Sequence, residues 1–154
     1  MSSIGPDQPL SNVIYFRGDI HAEKVGPDGR IVEVRDIRNT VLTIGKNQLT
    51  TLSGKTGSTD RNGFGWTTVA TQSTVSAGDT GPLGPLHTAT NVFTYNSTGQ
   101  YQASSSHTGI AGTISSAWLY NSESDKYLCG GTFSGLPLTA PDTLNIVYTV
   151  SFTG

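Results

Sequence analysis

Charge is scarce in this 154-residue chain: Asp, Glu, Lys and Arg make up 13% of it and the formal net charge is −2. An average globular protein carries about twice that share of charge. A nucleic-acid-binding face needs a basic stripe, and this balance supplies none. The one cysteine, Cys129, excludes an intrachain disulfide framework. No apolar run approaches the ~18 residues of a membrane-spanning helix. The opening Met1-Ser2-Ser3-Ile4-Gly5-Pro6 lacks the basic-then-apolar order of a secretory signal, so none is expected. Disorder calls for high net charge and few β-branched residues, and neither holds here. The expected partners therefore include no nucleic acid and no membrane.

Hydroxyls and glycine are abundant: 22 Thr, 17 Ser and 19 Gly, more than a third of the chain. Thr suits a pleated, half-buried surface and Gly supplies turns, so an all-β protein is expected. Few Lys and Glu also means few guards against edge-to-edge strand pairing. Charge is unevenly spread. Residues 1–77 hold eight Lys/Arg and seven Asp/Glu, whereas residues 78–154 hold Lys126 and four acids. A nearly uncharged second half suits either a surface covered in an assembly or a neutral, hydroxyl-rich solvent face.

Residues 1–11, with two prolines and a glycine, read as an extended N-terminal arm, and 12–154 as a single domain without internal repeats. Strands are expected at Asn12–Glu23, with Ile14, Phe16, Ile20 and Ala22 on one face, and at Arg30–Asn39. They flank the turn Val25-Gly26-Pro27-Asp28-Gly29, where Pro presets φ and Gly accepts a positive one. Val41, Ile44, Gln48, Leu49 and Leu52 recur at spacings of three and four, which predicts one short helix near residues 44–52. Residues 53–65 read as a polar loop, Trp66–Gln72 as a strand, and 73–85 as a long irregular connection. Strands follow at 91–95 and 101–106. The next is a long one with Ile110, Gly112, Ile114, Ser116, Trp118 and Tyr120 on one face. Lys126–Phe133 is a strand running into a loop at Gly135-Leu136-Pro137. From Leu144 to Phe152 the alternation is nearly strict, which marks a strand with one buried face. The expected fold is a single-domain antiparallel β-sandwich, jelly-roll-like or Ig-like.

Motifs that carry chemistry fail on inspection. Gly54-Lys55-Thr56 lacks the first glycine of a phosphate-binding loop, where Leu49 stands. Gly63-Phe64-Gly65-Trp66-Thr67-Thr68 misses the last glycine of the dinucleotide fingerprint. No GxSxG elbow exists. Asp19, His21 and Glu23 alternate on one strand face and have the chemistry of zinc or iron ligands, but the same pattern is the solvent face of an edge strand, which is the expected reading. His87 and His107 read as loop or turn residues without partners. Cys129 reads as a small buried hydrophobe. Asn96-Ser97-Thr98 is a formal glycosylation triplet within a turn. Trp66, Trp118, Tyr95, Tyr101, Tyr120 and Tyr127 are either a sugar-binding face or core packing, and core is expected. No residue is assigned a catalytic, cofactor-binding or metal-binding role, and no enzymatic activity is expected.

Three stretches in order carry a resemblance. Trp66–Gln72 is followed by Ser76-Ala77-Gly78-Asp79-Thr80-Gly81-Pro82-Leu83. Next comes Ile114-Ser115-Ser116-Ala117-Trp118-Leu119-Tyr120-Asn121. The third is Tyr127-Leu128-Cys129-Gly130-Gly131-Thr132-Phe133, then Leu138-Thr139-Ala140-Pro141-Asp142-Thr143-Leu144-Asn145-Ile146-Val147-Tyr148-Thr149-Val150-Ser151-Phe152. Together with Arg38-Asn39, this order resembles small β-rich virion structural proteins of tailed bacteriophages, over roughly residues 35–154. The resemblance implies no catalysis and no cofactor. It implies a place on the outer surface of the virion after synthesis in the host cytoplasm. The expectation is a capsid decoration (cement) protein, a homotrimer bound to the major capsid protein on the outside of the assembled head. The alternatives are a tail, neck or fibre component, with loops 53–65 and 73–87 as contact surfaces, and a carbohydrate-binding β-sandwich module.

Overall fold

The computed structural model describes residues 15–45, 64–97, 99–121 and 126–153. The expected arm at 1–11, most of the expected helix and most of the 53–65 loop lie outside these residues. Residues 43–45 are helical, at the start of the segment where the helix is expected.

Ten strands form two antiparallel five-stranded sheets among the described residues: β1 (Tyr15–Val25), β2 (Ile31–Arg38), β3 (Thr40–Val41), β4 (Trp66–Ala70), β5 (Pro85–Thr90), β6 (Val92–Ser97), β7 (Gln100–Thr108), β8 (Gly112–Asn121), β9 (Lys126–Leu138) and β10 (Thr143–Thr153). Sheet A runs β2-β1-β10-β7-β6 and sheet B runs β3-β9-β8-β4-β5. This is the expected single-domain β-sandwich. The alternation in β10 explains its central place in sheet A: Leu144, Ile146, Tyr148 and Val150 are fully buried, whereas Asn145, Val147, Thr149 and Ser151 stay half-exposed on the outer face. Each such aliphatic burial is worth about 2 kcal/mol.

The main core lies between the sheets, where Ile20, Ala22, Ile146 and Tyr148 meet Val69, Ile114, Leu119, Cys129 and Leu136. Two glycines in β9 allow close packing on its two faces, Gly131 toward the main core and Gly130 toward Trp118 on the outside. A Cβ on Gly131 would lie 2.7 Å from Ile20 Cδ1, and one on Gly130 would lie 2.6 Å from Trp118 Cε3. Burial pushes the Cys129 thiol well above its usual range, which fits a structural rather than reactive cysteine.

Three strand expectations need correction. Ile114 and Trp118 do not share a face. The register shifts between Ile114 and Ser116, as at a β-bulge. Ile114 therefore joins the main core, while Trp118 joins a second cluster with Leu42 and Ala70. The expected loop at Gly135-Leu136-Pro137 is part of β9, with Leu136 fully buried. Residues 85–90 form edge strand β5, which its proline disguises; edges tolerate proline because one row of N–H groups is unpaired there.

The irregular connection after β4 covers the outside of sheet B. Val75 and Ile44 pack against the Trp118 cluster, and Thr43 N–H donates to the Ala77 carbonyl at 2.8 Å. Asp79 Oδ2 accepts from Ser76 N–H at 2.9 Å, and Gln72 Oε1 accepts from Leu83 N–H at 2.6 Å.

Candidate functional site

With sheet B covered by its own chain, the outer face of sheet A is the broad exposed sheet surface. Across β10, β7 and β6 it presents Asn145, Val147, Thr149 and Ser151, then Gln100, Gln102, Ser104 and Ser106, then Val92 and Thr94. None of these carries a charge. Gln100 Nε2 donates to Ser151 Oγ at 3.1 Å and Gln102 Nε2 to Thr149 Oγ1 at 3.4 Å. These cross-strand bonds hold the amides flat against the sheet. A groove of about 550 Å³ crosses this face, lined by Glu23, Thr90, Val92, Ser104, Asn145 and Val147.

The charged first half forms the border. On β1 and β2, Arg17, Asp19, His21, Glu23, Asp36 and Arg38 face the same way. His21 sits between two carboxylates. Its Nε2 lies 2.8 Å from Glu23 Oε1, and its Nδ1 lies 2.5 Å from Asp36 Oδ1. The hydrogen bonds to Glu23 and then Asp36 raise the imidazole pKa above its ordinary value, because both favour the charged form. Asp19 turns instead to Arg17, with Arg17 Nε 2.9 Å from Asp19 Oδ2. Asp19, His21 and Glu23 therefore do not converge on one point: both ring nitrogens are engaged, and the strand face is a solvent-facing ion-pair row. Among the described residues, no group of three or more His, Cys, Asp or Glu has metal-site geometry.

The histidines expected in loops are both in strands. His87 on β5 and His107 on β7 meet across the two sheets, Nδ1 to Nδ1, at 2.9 Å. Ser105 Oγ lies 2.9 Å from His107 Nε2. His107 is fully buried. Burial first, and the neighbouring His87 second, lower its pKa to about 4. Two Nδ1 atoms at this distance share one proton, so the pair links the sheets with at most one positive charge. Sequence spacing hides this contact, since the two histidines, 20 positions apart, meet only through the tertiary fold.

The aromatics divide. Trp118 is fully buried, with its Nε1–H donating to Ser116 Oγ at 3.0 Å. Tyr127 and Tyr120 stack at 4.5 Å. Tyr95 is 81% exposed and lies 6.3 Å, ring to ring, from Tyr101. Phe93 flanks Tyr101 at 5.6 Å and shares an open groove with Trp66. Packing thus accounts for Trp118, Tyr120 and Tyr127, and leaves Tyr95 and Phe93 on the surface. Among the described residues, no helix is long and apolar enough to cross a membrane. No protein-family model matches the chain, and neither a curated protein nor a solved structure matches it significantly.

Proposed function

We propose that this chain is a non-enzymatic virion structural protein of a tailed bacteriophage, a decoration protein that binds the outside of the assembled head and stabilises it. The observation that carries the reading is the uncharged outer face of β10, β7 and β6, a broad surface of hydroxyls, amides and aliphatics beside a charged border. Such a face loses little on desolvation when a matching polar surface covers it, because no isolated charge is buried. The motifs that resemble phage virion proteins support the same reading. Their longest parts lie in the strands β4, β8, β9 and β10. A protein that binds the assembled shell better than the free shell subunit stabilises the shell by mass action. The test is co-sedimentation of the purified chain with assembled heads and with dissociated shell subunits. Binding to heads alone is expected; equal binding to both, or to neither, contradicts the proposal.

A carbohydrate-binding module is the second reading, favoured by the exposed Tyr95 and Phe93 beside Trp66. Trp66 fluorescence that responds to a glycan panel would support it; an unresponsive signal would remove it.

A further inference from the structure

We infer that β2 is a self-pairing edge through which two copies of this chain join antiparallel strands about a two-fold axis at Val34. This inference stands independently of any place on a virion.

The four sheet edges differ. β3 has two residues, β5 begins with Pro85 and carries a register shift, and β6 carries one near its end. Short strands, prolines and bulges are common ways of blunting an edge. β2 has eight residues and no proline, and its own register shift falls at Val32 near its start, so the run from Glu33 to Arg38 is regular. It exposes Ile31 and Val32 at 56% each and Val34 at 41%. Among the described residues, nothing pairs with its far side.

The phase of its backbone is fixed. Asn39 N–H donates to the Gly18 carbonyl at 3.0 Å, and the register continues as Ile37↔Ile20 and Arg35↔Ala22. In an antiparallel ladder, hydrogen-bonded and non-hydrogen-bonded pairs alternate. Residues 35 and 37 therefore turn their N–H and C=O groups to β1, and residues 34, 36 and 38 turn theirs outward. A second observation agrees: the Val34 carbonyl accepts from its own Arg35 Nη1 at 3.0 Å, a side chain standing where a neighbouring strand's N–H would come.

Charges on an edge ordinarily repel a second strand. Those of β2 fit one partner, the same strand reversed. A two-fold axis perpendicular to the sheet keeps side chains on their own faces, so a residue can meet only residues an even number of positions away. With Val34 on the axis, Val34 meets Val34 of the second copy and exchanges both backbone hydrogen bonds with it. Glu33 meets Arg35 twice. Glu33 and Arg35 already form an ion pair within the chain at 2.9 Å, so the dimer joins two neutral pairs into a four-membered network. The neighbouring two-fold registers place Arg35 against Arg35 or Glu33 against Glu33, which like-charge repulsion disfavours. An isologous contact of this kind joins copies in twos, and within a trimeric assembly it serves as a bridge between trimers.

Val34→Pro is the decisive variant. It removes an N–H that the hairpin does not use and places a proline where an incoming strand needs a donor. Light scattering on the full chain between about 1 μM and 1 mM spans weak to moderate self-affinities. The expected mass rises from 16.2 kDa to twice that value, and with Val34→Pro it stays at the lower value throughout. Val34→Cys guards against a misfolded proline variant. Under oxidant it is expected to give a dimer linked through residue 34, since paired Cα atoms on adjacent strands lie within disulfide reach. A chain that stays monomeric at the highest concentration overturns the inference. So does a folded Val34→Pro chain that dimerises like the parent, or a Val34→Cys chain that yields no linked dimer.

Discussion

Tyr148 donates its hydroxyl to the Ala117 carbonyl at 2.6 Å, tying the middle strand of sheet A to that of sheet B through a fully buried bond. The ring fills the core while the hydroxyl reaches through it, and burial pushes the phenol well above its ordinary pKa. Tyr148→Phe keeps the ring and removes the bond. A loss of about 1–2 kcal/mol in urea unfolding is expected, with an unchanged far-ultraviolet spectrum. No loss would mean that the bond adds nothing to sheet docking.

The His87–His107 pair predicts acid sensitivity. His107 has a pKa of about 4 in the folded chain against the ordinary 6.5. Its contribution is complete above pH 6.5. As pH falls from 6.5 toward 4, the unfolded chain takes up a proton that the folded chain refuses, so stability declines. The gap corresponds to about 3 kcal/mol at most. His107→Gln is expected to flatten the decline between pH 6.5 and 4 in urea midpoints. An equally steep decline in the variant would place the acid sensitivity elsewhere.

His21 has the opposite sign. Its raised pKa gives stability that is complete below pH 6.5 and is lost as pH rises through the folded value. Asp36→Asn removes one of the two carboxylates, and the His21 pKa read by NMR is expected to move down toward 6.5. An unmoved value would mean that Asp36 does not hold the ring in solution.

Gly130 faces the Trp118 ring, which is walled in by Leu42, Ala70 and Val75. Gly130→Ala forces the ring or β9 to shift, at a cost of about 1–3 kcal/mol. Unfolding midpoints, followed together with Trp118 emission, measure it. A neutral substitution would show that the second cluster is loosely packed.

Strand alternation made β10 and the β1–β2 hairpin legible, because period two is a local property of the chain. The failures were non-local or were hidden by one residue. The bulge after Ile114 reversed the faces of a strand that reads as continuous. Pro85 concealed β5, and the irregular appearance of residues 73–84 concealed their role as the cover over Trp118. The candidate surface was partly legible. The uncharged second half is visible in composition, but its concentration on β10, β7 and β6 follows from sheet order. Nothing in the sequence pairs His87 with His107, whose contact depends on the meeting of β5 and β7.

Immunogold electron microscopy of phage particles carrying the chain, with antibody raised against residues 12–154, tests the central claim most directly. The account predicts label distributed over the head. Label confined to the tail or neck, or absent from intact particles, would contradict a decoration role.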